Sequence, residues 1–377
     1  MRRVTTFVFV LTLLLTSCIK EEPKNAECDI LEAWIDDAAM ASHFYNAKDM
    51  RIGEVPSGAN DLTFFVRQPS VLPLVAVNFK LTPGATIAPE NGSRQDFSKG
   101  PVTYTVTSED GQWHRTYQVS FHEVTLPSNK YSFEDCELDS RGKYYVWYNT
   151  NSAGVKEYFW ATGNAGYIIA KSNAAAEEYP SVPDANGFEG QCVRLTTCAT
   201  GSWGKLFQKP IAAGNFFLGT FDPQFAMTNT LKTTNMGIPY TKEPVKVTGY
   251  YKYTPGAEFT DKNMKVVEGR TDEPSIYSVL YLNKDEQGND VMLHGDDVLN
   301  SPYIVRKAQV ASLPATTKWT RFEMRFEGTT PIDPTLLANR GYNLALVFSS
   351  SKTGDTFEGA VGSTLCIDEV EISFKDE

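Results

Sequence analysis

Short runs of β-favouring residues, separated by turn-forming residues, recur along most of this chain, and they constrain its fold more than any other feature. Residues 102–107 alternate between apolar and polar side chains, residues 109–111 supply a hairpin turn, and residues 116–121 return as the partner run. The chain lacks the regular alternation of strands and helices that Rossmann and TIM folds require. The pattern therefore predicts an all-β protein.

Turn signals and length divide this pattern into two predicted β domains. Residues 28–125 are predicted to form a small immunoglobulin-like β-sandwich, because several short strands are separated by Gly and Pro turns. Within it, residues 31–40 suit either a short helix or a first strand. The predicted boundary follows at residues 126–129. Residues 129–377 are too many for a second such sandwich, and their strands with long Gly, Pro and Asn loops predict a jelly roll.

The first 22 residues have the pattern of an export and anchoring signal. Two arginines precede an apolar run at residues 7–15, which has the length of a signal-peptide core and is too short to span a bilayer. Residues 15–18 resemble the bacterial lipobox, which implies a lipoprotein signal peptide at 1–17, lipidation of Cys18 and a lipidated tether at 18–27. A secreted protein with a chance cysteine is the alternative.

The tether also carries information about location. The Lys-Glu-Glu run at residues 20–22 resembles the surface-export signal of Bacteroidetes lipoproteins. The resemblance implies a lipid anchor in the outer membrane with the body of the protein on the cell surface. No second apolar run approaches the ~18 residues that a membrane-spanning helix needs.

Composition excludes some partners and cofactors. The formal net charge is −11 and no basic stripe is present, which argues against nucleic acid. Zinc is not expected, because the chain has no Cys-x-x-Cys motif and its four histidines fit no ligand spacing. The other cysteines are expected to be buried free thiols, with a Cys192–Cys198 disulfide as the alternative. These five cysteines are Cys28, Cys136, Cys192, Cys198 and Cys366.

Two family resemblances cover most of the chain. Residues 79–85, 87–89, 104–106 and 117–119 resemble the immunoglobulin-like modules that follow the tether in Bacteroidetes surface lipoproteins. The resemblance implies a spacer, with a second ligand-binding surface as the alternative.

The second resemblance covers about residues 130–374, which are similar to the Putative carbohydrate metabolism domain family of Bacteroidetes. It implies a jelly roll like that of carbohydrate-binding modules. Cys136 stands where family members often carry tryptophan. The motifs lie at residues 131–134, 159–164, 213–219 and 249–256, and most strongly at 344–355 and 359–365.

The same resemblance implies a structural calcium ion between the ends of the second domain. In similar jelly rolls an early acidic residue and an aspartate in the last strand share calcium with backbone carbonyls, and Glu134 and Asp368 occupy these positions. Two carboxylates plus carbonyls suit a cation that takes ~6–8 oxygen ligands. Solvated charges, or an arginine partner for Glu134, are the alternatives. The acidic loop at residues 283–290 is instead predicted to be a hairpin turn around Gly288.

Aromatic residues supply the predicted carbohydrate-binding site. Trp203 lies among small, turn-forming residues, which predicts an indole on a loop and makes it the first candidate for a sugar platform. An indole that caps the edge of the sandwich is the alternative. Trp147, Tyr251 and Tyr253 complete the predicted set, although the shared face of the two tyrosines could be core or ligand-facing. Trp160 and Trp319 are expected in the core.

No catalytic residues are predicted. A glycosidase needs two carboxyl groups ~5–10 Å apart, and no acidic pair in the sequence has a recognisable pattern. The predicted function is non-catalytic glycan binding at the cell surface, in support of polysaccharide capture, with an outer-membrane uptake complex as the protein partner. A glycoside hydrolase and a structural or adhesive, fimbria-like subunit are the alternatives.

Overall fold

The computed structural model describes residues 23–44, 47–66, 72–123, 129–150 and 156–375. The predicted signal peptide and Cys18 lie outside these residues. The chain divides into two units, Met1–Val124 and Thr125–Glu377. Among the described residues, no helix is both long and apolar enough to cross a membrane. The five cysteines named above are all free thiols in the structure.

The first unit consists of short strands with two 3-10 helices, Ala38–His43 and Ala47–Met50. Its strands are β1 (Ile30–Trp34), β2 (Arg51–Ile52), β3 (Asp61–Val66), β4 (Val75–Ala76), β5 (Asn78–Leu81), β6 (Thr86–Ala88), β7 (Arg94–Gln95), β8 (Val102–Thr107) and β9 (His114–Glu123).

Two sheets of the first unit share one core. The strand orders are β2-β1-β5 and β3-β9-β8-β6, with β3 parallel to β9. The predicted hairpin is present as β8 and β9, whose inward residues Tyr104 and Tyr117 are buried opposite each other. Residues 31–40 combine both sequence interpretations, because β1 ends at Trp34 and a 3-10 helix begins at Ala38. Alternation of period two thus places one face of each strand in the core.

The second unit is larger and also mostly β. Its helices are α1 (Asn164–Ala170), α2 (Gly201–Leu206) and α3 (Pro334–Ala338), with 3-10 helices at Ala176–Glu178, Pro223–Phe225, Thr230–Thr233 and Gly354–Thr356. Its strands are β10 (Lys130–Tyr131), β11 (Cys136–Leu138), β12 (Tyr145–Trp147), β13 (Asn149–Thr150), β14 (Lys156–Glu157), β15 (Trp160–Ala161), β16 (Ser181–Asp184), β17 (Cys192–Thr196), β18 (Cys198–Ala199), β19 (Ile211–Ala212), β20 (Asn215–Phe221), β21 (Thr234–Met236), β22 (Ile238–Tyr240), β23 (Pro244–Thr254), β24 (Phe259–Thr260), β25 (Ser275–Leu282), β26 (Ile304–Gln309), β27 (Thr316–Arg325), β28 (Tyr342–Ser349), β29 (Gly359–Ala360) and β30 (Thr364–Phe374).

Two large sheets form the sandwich of the second unit. The six-stranded sheet has the order β16-β17-β30-β23-β27, with β10 beside β30. The seven-stranded sheet has the order β15-β20-β28-β25-β26, with β21 beside β20 and β22 beside β28. The inward side chains of both sheets form one apolar core, in which the Trp160 and Phe216 rings stack 4.4 Å apart. The predicted all-β fold class is confirmed.

A β-bulge in β30 keeps that long strand in register with the core. Thr248 of β23 pairs with Glu371, whereas Tyr250 pairs with Asp368, so β30 has one more residue than β23 over this interval. Glu369 takes up the extra residue with a left-handed φ of 46°. Because one residue is inserted, Ile367 and Val370 both face the core although three positions separate them.

The seven-stranded sheet is unusual because both of its faces are apolar. Strands β25 and β28 are almost continuously buried. Leu344 and Leu346 point into the sandwich core, whereas Ala345 and Val347 belong to a second apolar cluster on the outer face. Chain segments after β20 and β25 cover part of that outer face, because Met236 and Leu293 pack on it.

Candidate functional site

The uncovered part of the outer face of the seven-stranded sheet forms the floor of a cavity of about 680 Å³. We call this cavity the sheet cleft. Helices α1 and α2 and the loop 351–357 supply its walls. The largest cavities of enzymes and binding proteins are the usual ligand sites when apolar walls surround a few polar groups.

Neighbouring strands build the floor of the sheet cleft from two rows of outward side chains. In one row, Asn215 of β20 pairs with Ser349 of β28. In the other, Tyr277 of β25 pairs with Val347 on one side and Gln309 on the other. Directly opposed residues on one sheet face lie close together, so polar and aromatic groups alternate across the floor.

The walls contribute exposed apolar side chains. Ile169 of α1, Phe207 and Met227 line the cleft and are each 40–41% exposed. Phe357 lines the opposite wall from a left-handed conformation with φ of 61°. Aromatic and aliphatic surfaces that stay open to water in a concave site indicate a ligand that covers them.

Lys209 places an ammonium group in the wall of the cleft. Its Nζ donates hydrogen bonds to the carbonyl of Ala226 at 2.6 Å and to Oγ1 of Thr230 at 2.5 Å. It also lies 5.8 Å from the centre of the Phe357 ring. Burial lowers the pKa of Lys209. An ammonium has three N–H donors, and two of them have partners among the described residues, so the third is available to a ligand hydroxyl.

Asp355 provides a carboxyl group at the mouth of the cleft. Its side chain is exposed at one edge and accepts a hydrogen bond from the backbone N–H of Thr356 at 2.9 Å. Partial withdrawal from water raises the pKa of Asp355, and the negative charge of Glu358 adds to the rise. A carboxyl group in this setting can accept or donate a hydrogen bond to a ligand hydroxyl.

A buried carboxylate holds the loop that carries Asp355 and Phe357. Asp272 is 2% exposed and its Oδ2 accepts hydrogen bonds from the Ser351 hydroxyl at 2.6 Å, the Ser363 hydroxyl at 2.7 Å and the Ala360 N–H at 2.8 Å. Charge-assisted hydrogen bonds of this kind are about twice as strong as neutral ones. The loop wall is therefore fixed before any ligand arrives.

A second cavity continues the sheet cleft along the same end of the domain. It measures about 600 Å³ and shares Ser275, Gln309 and Lys352 with the cleft. The shared residues make the two cavities neighbours. Two adjoining cavities with aromatic surfaces and hydrogen-bonding groups suit a chain-like polar ligand.

The chain belongs to the Putative carbohydrate metabolism domain family. The family model matches residues 132–373, which include every wall and floor residue of the sheet cleft. The match supports a carbohydrate-associated role for the second unit. The predicted family resemblance is thereby confirmed.

Solved structures agree with this assignment. The chain is 37% identical to a protein described as a putative glycoside hydrolase from Bacteroides thetaiotaomicron VPI-5482, with a TM-score of 0.73 over 95% of this chain and 100% of that one. It is also 37% identical to a putative glycoside hydrolase from Bacteroides vulgatus ATCC 8482, with a TM-score of 0.61 over 67% of this chain and 99% of that one.

The first unit matches a different family model. Residues 43–120 match the model described as SGBP, N-terminal. The predicted N-terminal module therefore matches a family model of its own. No curated protein shows significant similarity to the chain.

Three of the predicted carbohydrate-binding residues belong to the core instead. Trp147, Tyr251 and Tyr253 are 1%, 3% and 2% exposed and pack among the inward side chains of the sandwich. The prediction that they form a binding surface is corrected for a physical reason: their rings are enclosed by other core side chains, so almost no ring face is open for stacking on a sugar. Tyr253 also lines the second cavity, although it is only 2% exposed.

The remaining aromatic predictions have different outcomes. Trp203 lies in helix α2 rather than in a loop, and the position of its indole lies outside the described side chains. Trp160 is 6% exposed and lies in the core, as expected. Trp319 is half-buried on the outward face of β27, so its expected core position is wrong.

The structure brings Glu134 and Asp368 to one loop. Oδ2 of Asp368 accepts hydrogen bonds from the backbone N–H of Phe188 at 2.6 Å and of Glu189 at 3.1 Å. Glu134 accepts one from the N–H of Gln191 at 3.0 Å. Burial raises the pKa of Asp368, and the charge of Glu134 contributes to the rise.

These hydrogen bonds compete with a calcium ion shared by the two carboxylates. Backbone N–H groups occupy some of the lone pairs that a cation would use. Among the described residues, no group of three or more His, Cys, Asp or Glu side chains is arranged to hold a metal ion. Calcium binding stays a prediction, and the contacts give the two carboxylates another role as anchors of the loop 187–191.

Sequence reasoning missed most of the sheet cleft. Lys209 and Phe207 follow a short helix without a recognisable motif, and Asp355 was noted only as part of a family motif. One signal was available for the floor: the apolar runs of β25 and β28 lack alternation, which indicates that both faces of the strands are covered.

Proposed function

We propose that this protein binds a carbohydrate chain without cleaving it, in the sheet cleft of its second unit. One observation carries the proposal: the outer face of the seven-stranded sheet combines the aromatic groups Tyr277, Phe207 and Phe357 with the polar groups Asn215 and Gln309 in one cavity. Pyranose rings present apolar C–H faces and a rim of hydroxyls, so they match such a surface. The family membership supports the same ligand class.

Binding is favoured over hydrolysis by the state of the carboxyl groups near the cleft. Glycoside hydrolysis needs two carboxyl groups ~5–10 Å apart, one of them available as an acid. Asp296 lines the cleft but forms an ion pair with Lys232 at 3.1 Å, and Glu273 lies 3.8 Å from the ammonium of Lys352. Asp272 lines the second cavity without an ion pair, but its Oδ2 already accepts three hydrogen bonds that hold the loop. Asp355 is then the carboxyl group of the sheet cleft itself that has no ion pair among the described residues.

We propose a cell-surface location with a lipid anchor at Cys18. The lipobox-like residues 15–18 support the anchor. The match of the first unit to the N-terminal model of SGBP, a surface glycan-binding protein, supports the location. The protein would then present a bound polysaccharide to an outer-membrane uptake complex.

The test uses the full chain made soluble by Cys18→Ala and screened on a glycan array, followed by titration calorimetry with each ligand found. Phe207→Ala should weaken binding by roughly 1–3 kcal/mol, about 5- to 150-fold in Kd, because it removes an apolar contact. Leu206→Ala is the matched control, because Leu206 is adjacent and 72% exposed but does not line the cleft. Equal affinity of Phe207→Ala and wild type for every ligand would refute the site.

A glycoside hydrolase is the second candidate function. It is favoured by the raised pKa of Asp355 at the cleft mouth and by the names of the two Bacteroides relatives. This function predicts release of reducing sugar from a glycan panel by wild type and its loss in Asp355→Asn. Binding without sugar release supports the primary proposal, whereas release that depends on Asp355 replaces it.

A further inference from the structure

Three aromatic rings cluster on the outer face of the six-stranded sheet, on the other sheet of the sandwich from the cleft. The ring of Phe188 stacks on that of Tyr250, with centres 3.7 Å apart and planes 9° apart. Trp319 stands almost perpendicular to Phe188, at 83° with centres 6.5 Å apart. We call these three rings the aromatic corner, because Phe188 forms a flat floor and Trp319 an upright side.

The strands and one loop place these rings at the surface. Tyr250 of β23 and Trp319 of β27 occupy outward positions. Side chains alternate along a strand, and Tyr251 and Phe322, which lie one and three positions further on, point into the core. Phe188 comes from the loop between β16 and β17 and remains 41% exposed. Burying a phenylalanine stabilises a protein by ~1.5–3 kcal/mol, so this loop forgoes part of that stabilisation by leaving the ring open.

The loop is fixed by contacts that hold Phe188 in place. Asp368, which is fully buried, accepts the N–H of Phe188, and Glu134 accepts that of Gln191. Gly187 closes the loop through a hydrogen bond from its N–H to the carbonyl of Gly190 at 3.0 Å. A Cβ on Gly187 would lie 2.6 Å from the carbonyl oxygen of Glu189, so only glycine fits. The exposed ring is therefore pre-organised, which lowers the entropic cost of binding.

Charged side chains surround the aromatic corner, and Glu323 pairs with both Arg321 and Arg325. The Lys252 ammonium lies 4.4 Å from the centre of the Trp319 ring and 3.2 Å from the carbonyl oxygen of Asn186. Arg321 pairs with Glu323 at 3.4 Å. Protein interfaces are depleted in charged residues at their centres, whereas hydroxyl-rich ligands need hydrogen-bonding groups around an apolar floor.

We propose that the aromatic corner is a second carbohydrate-binding site, which takes one face of a neutral pyranose unit of a polysaccharide. The sugar would stack on Phe188 against the edge formed by Trp319, with its hydroxyls towards Lys252 and Asn186. This site is independent of the sheet cleft. Two sites on one domain would bind one long polysaccharide more tightly than either site alone through effective concentration.

Affinity electrophoresis of the Cys18→Ala chain tests the proposal, with gels that contain β-glucan, xylan, mannan or α-glucan and a polygalacturonate gel as the acidic comparison. In a neutral gel that retards wild type, Phe188→Ala and Trp319→Ala should each weaken retardation at least fivefold in apparent Kd. Phe188→Tyr keeps a ring and should retain most of the retardation. Leu336→Ala is the matched control, because Leu336 is 43% exposed on helix α3 and lies outside both sites.

Phe207→Ala separates this proposal from that of the cleft. If the gel still retards Phe207→Ala but no longer retards the double variant Phe207→Ala/Phe188→Ala, the result supports the aromatic corner. This holds whether or not the sheet cleft also binds the polysaccharide. Unchanged retardation of both Phe188→Ala and Trp319→Ala in every gel that retards wild type overturns it, as does no retardation of wild type in any neutral gel. A dimer in light scattering that becomes a monomer in Phe188→Ala also overturns it, because the rings would then form a protein contact.

Discussion

Asp368 accepts a hydrogen bond from the backbone N–H of Phe188 at 2.6 Å, although 180 residues separate the two in the sequence. The contact joins the last strand of the domain to the loop between β16 and β17. The sequence suggested Asp368 as a metal ligand. In the structure this residue holds the loop that presents Phe188 at the surface. The exposed phenylalanine and the buried carboxylate are thus two parts of one local structure.

Replacement of Asp368 by alanine should destabilise the second unit by on the order of 3 kcal/mol, because it removes a buried carboxyl group and leaves the part-buried N–H groups of Phe188 and Glu189 without their acceptor. Urea unfolding of the Cys18→Ala chain measures the change. Asp285→Ala is the control: Asp285 also accepts backbone N–H groups, those of Gln287 and Asn289, but in an exposed turn where water replaces it. A loss for Asp368→Ala no larger than that for Asp285→Ala would contradict the anchoring role.

The contribution of Asp368 to the stability of the fold should decrease as pH rises, because the pKa of Asp368 is raised. Burial raises that pKa in the folded state, so the folded chain holds the proton more tightly than the unfolded chain. The contribution of Asp368 is then fully present below about pH 4, its unfolded pKa, and is lost as pH rises through the folded value.

Unfolding free energies of wild type and Asp368→Asn between pH 4 and pH 8 measure this effect. The stability advantage of wild type over the variant should shrink as pH rises. Asp285→Asn provides a comparison of opposite sign, because hydrogen bonds with Asn289 lower the pKa of Asp285. A wild-type advantage that grows with pH in the Asp368 pair would show that the folded-state pKa is not raised.

The effect of a chelator on the melting temperature shows whether Asp368 and Glu134 anchor a loop or bind calcium. Because backbone N–H groups occupy Asp368 and Glu134, we expect the melting temperature of wild type to be the same in calcium and in chelator. A bound ion at a hundredfold excess over Kd would add about 2.7 kcal/mol. A chelator-induced drop in wild type that is absent in Asp368→Asn would establish the calcium site and rule out our interpretation of the contacts.

Trp147→Ala should reduce stability by about 3–5 kcal/mol without a selective loss of ligand affinity, because the indole is enclosed in the core against Phe216 at 5.0 Å. Phe207→Ala should behave in the opposite way, with nearly unchanged stability and weaker binding. Thermal melts and titrations of both variants provide the comparison. If Trp147→Ala melts at the wild-type temperature but no longer binds the ligand, Trp147 belongs to the binding surface and our assignment to the core is wrong.

Cys18→Ala should move the protein from the membrane fraction to the soluble fraction, because the anchor that we propose consists of acyl chains on that cysteine. Cell fractionation and labelling with a radioactive fatty acid measure the change. Cys28→Ala, a cysteine ten residues further along the chain, is the control and should stay membrane-bound and labelled. Persistent labelling of Cys18→Ala would contradict the proposed anchor.

The strand pattern of the sequence was sufficient to predict the all-β class and individual elements such as the hairpin of β8 and β9. Alternation is a local property, and a hairpin with a short turn pairs residues that are close in sequence. Family motifs extended this to the carbohydrate-related domain at residues 132–373. These conclusions depend on local patterns, so they did not require knowledge of how the sheets pack.

Only the tertiary structure decided which aromatic residues lie at the surface and which lie in the core. In β23, Tyr250 and Tyr251 are neighbours with equal propensity for a strand, yet one lies outside beneath Phe188 and the other inside the core. The pairing of two sheets fixes which of the two strand faces is buried, and one sequence segment does not contain that information. Lys209, Tyr277 and Asp355 likewise meet in the sheet cleft only because distant segments cross the same sheet face.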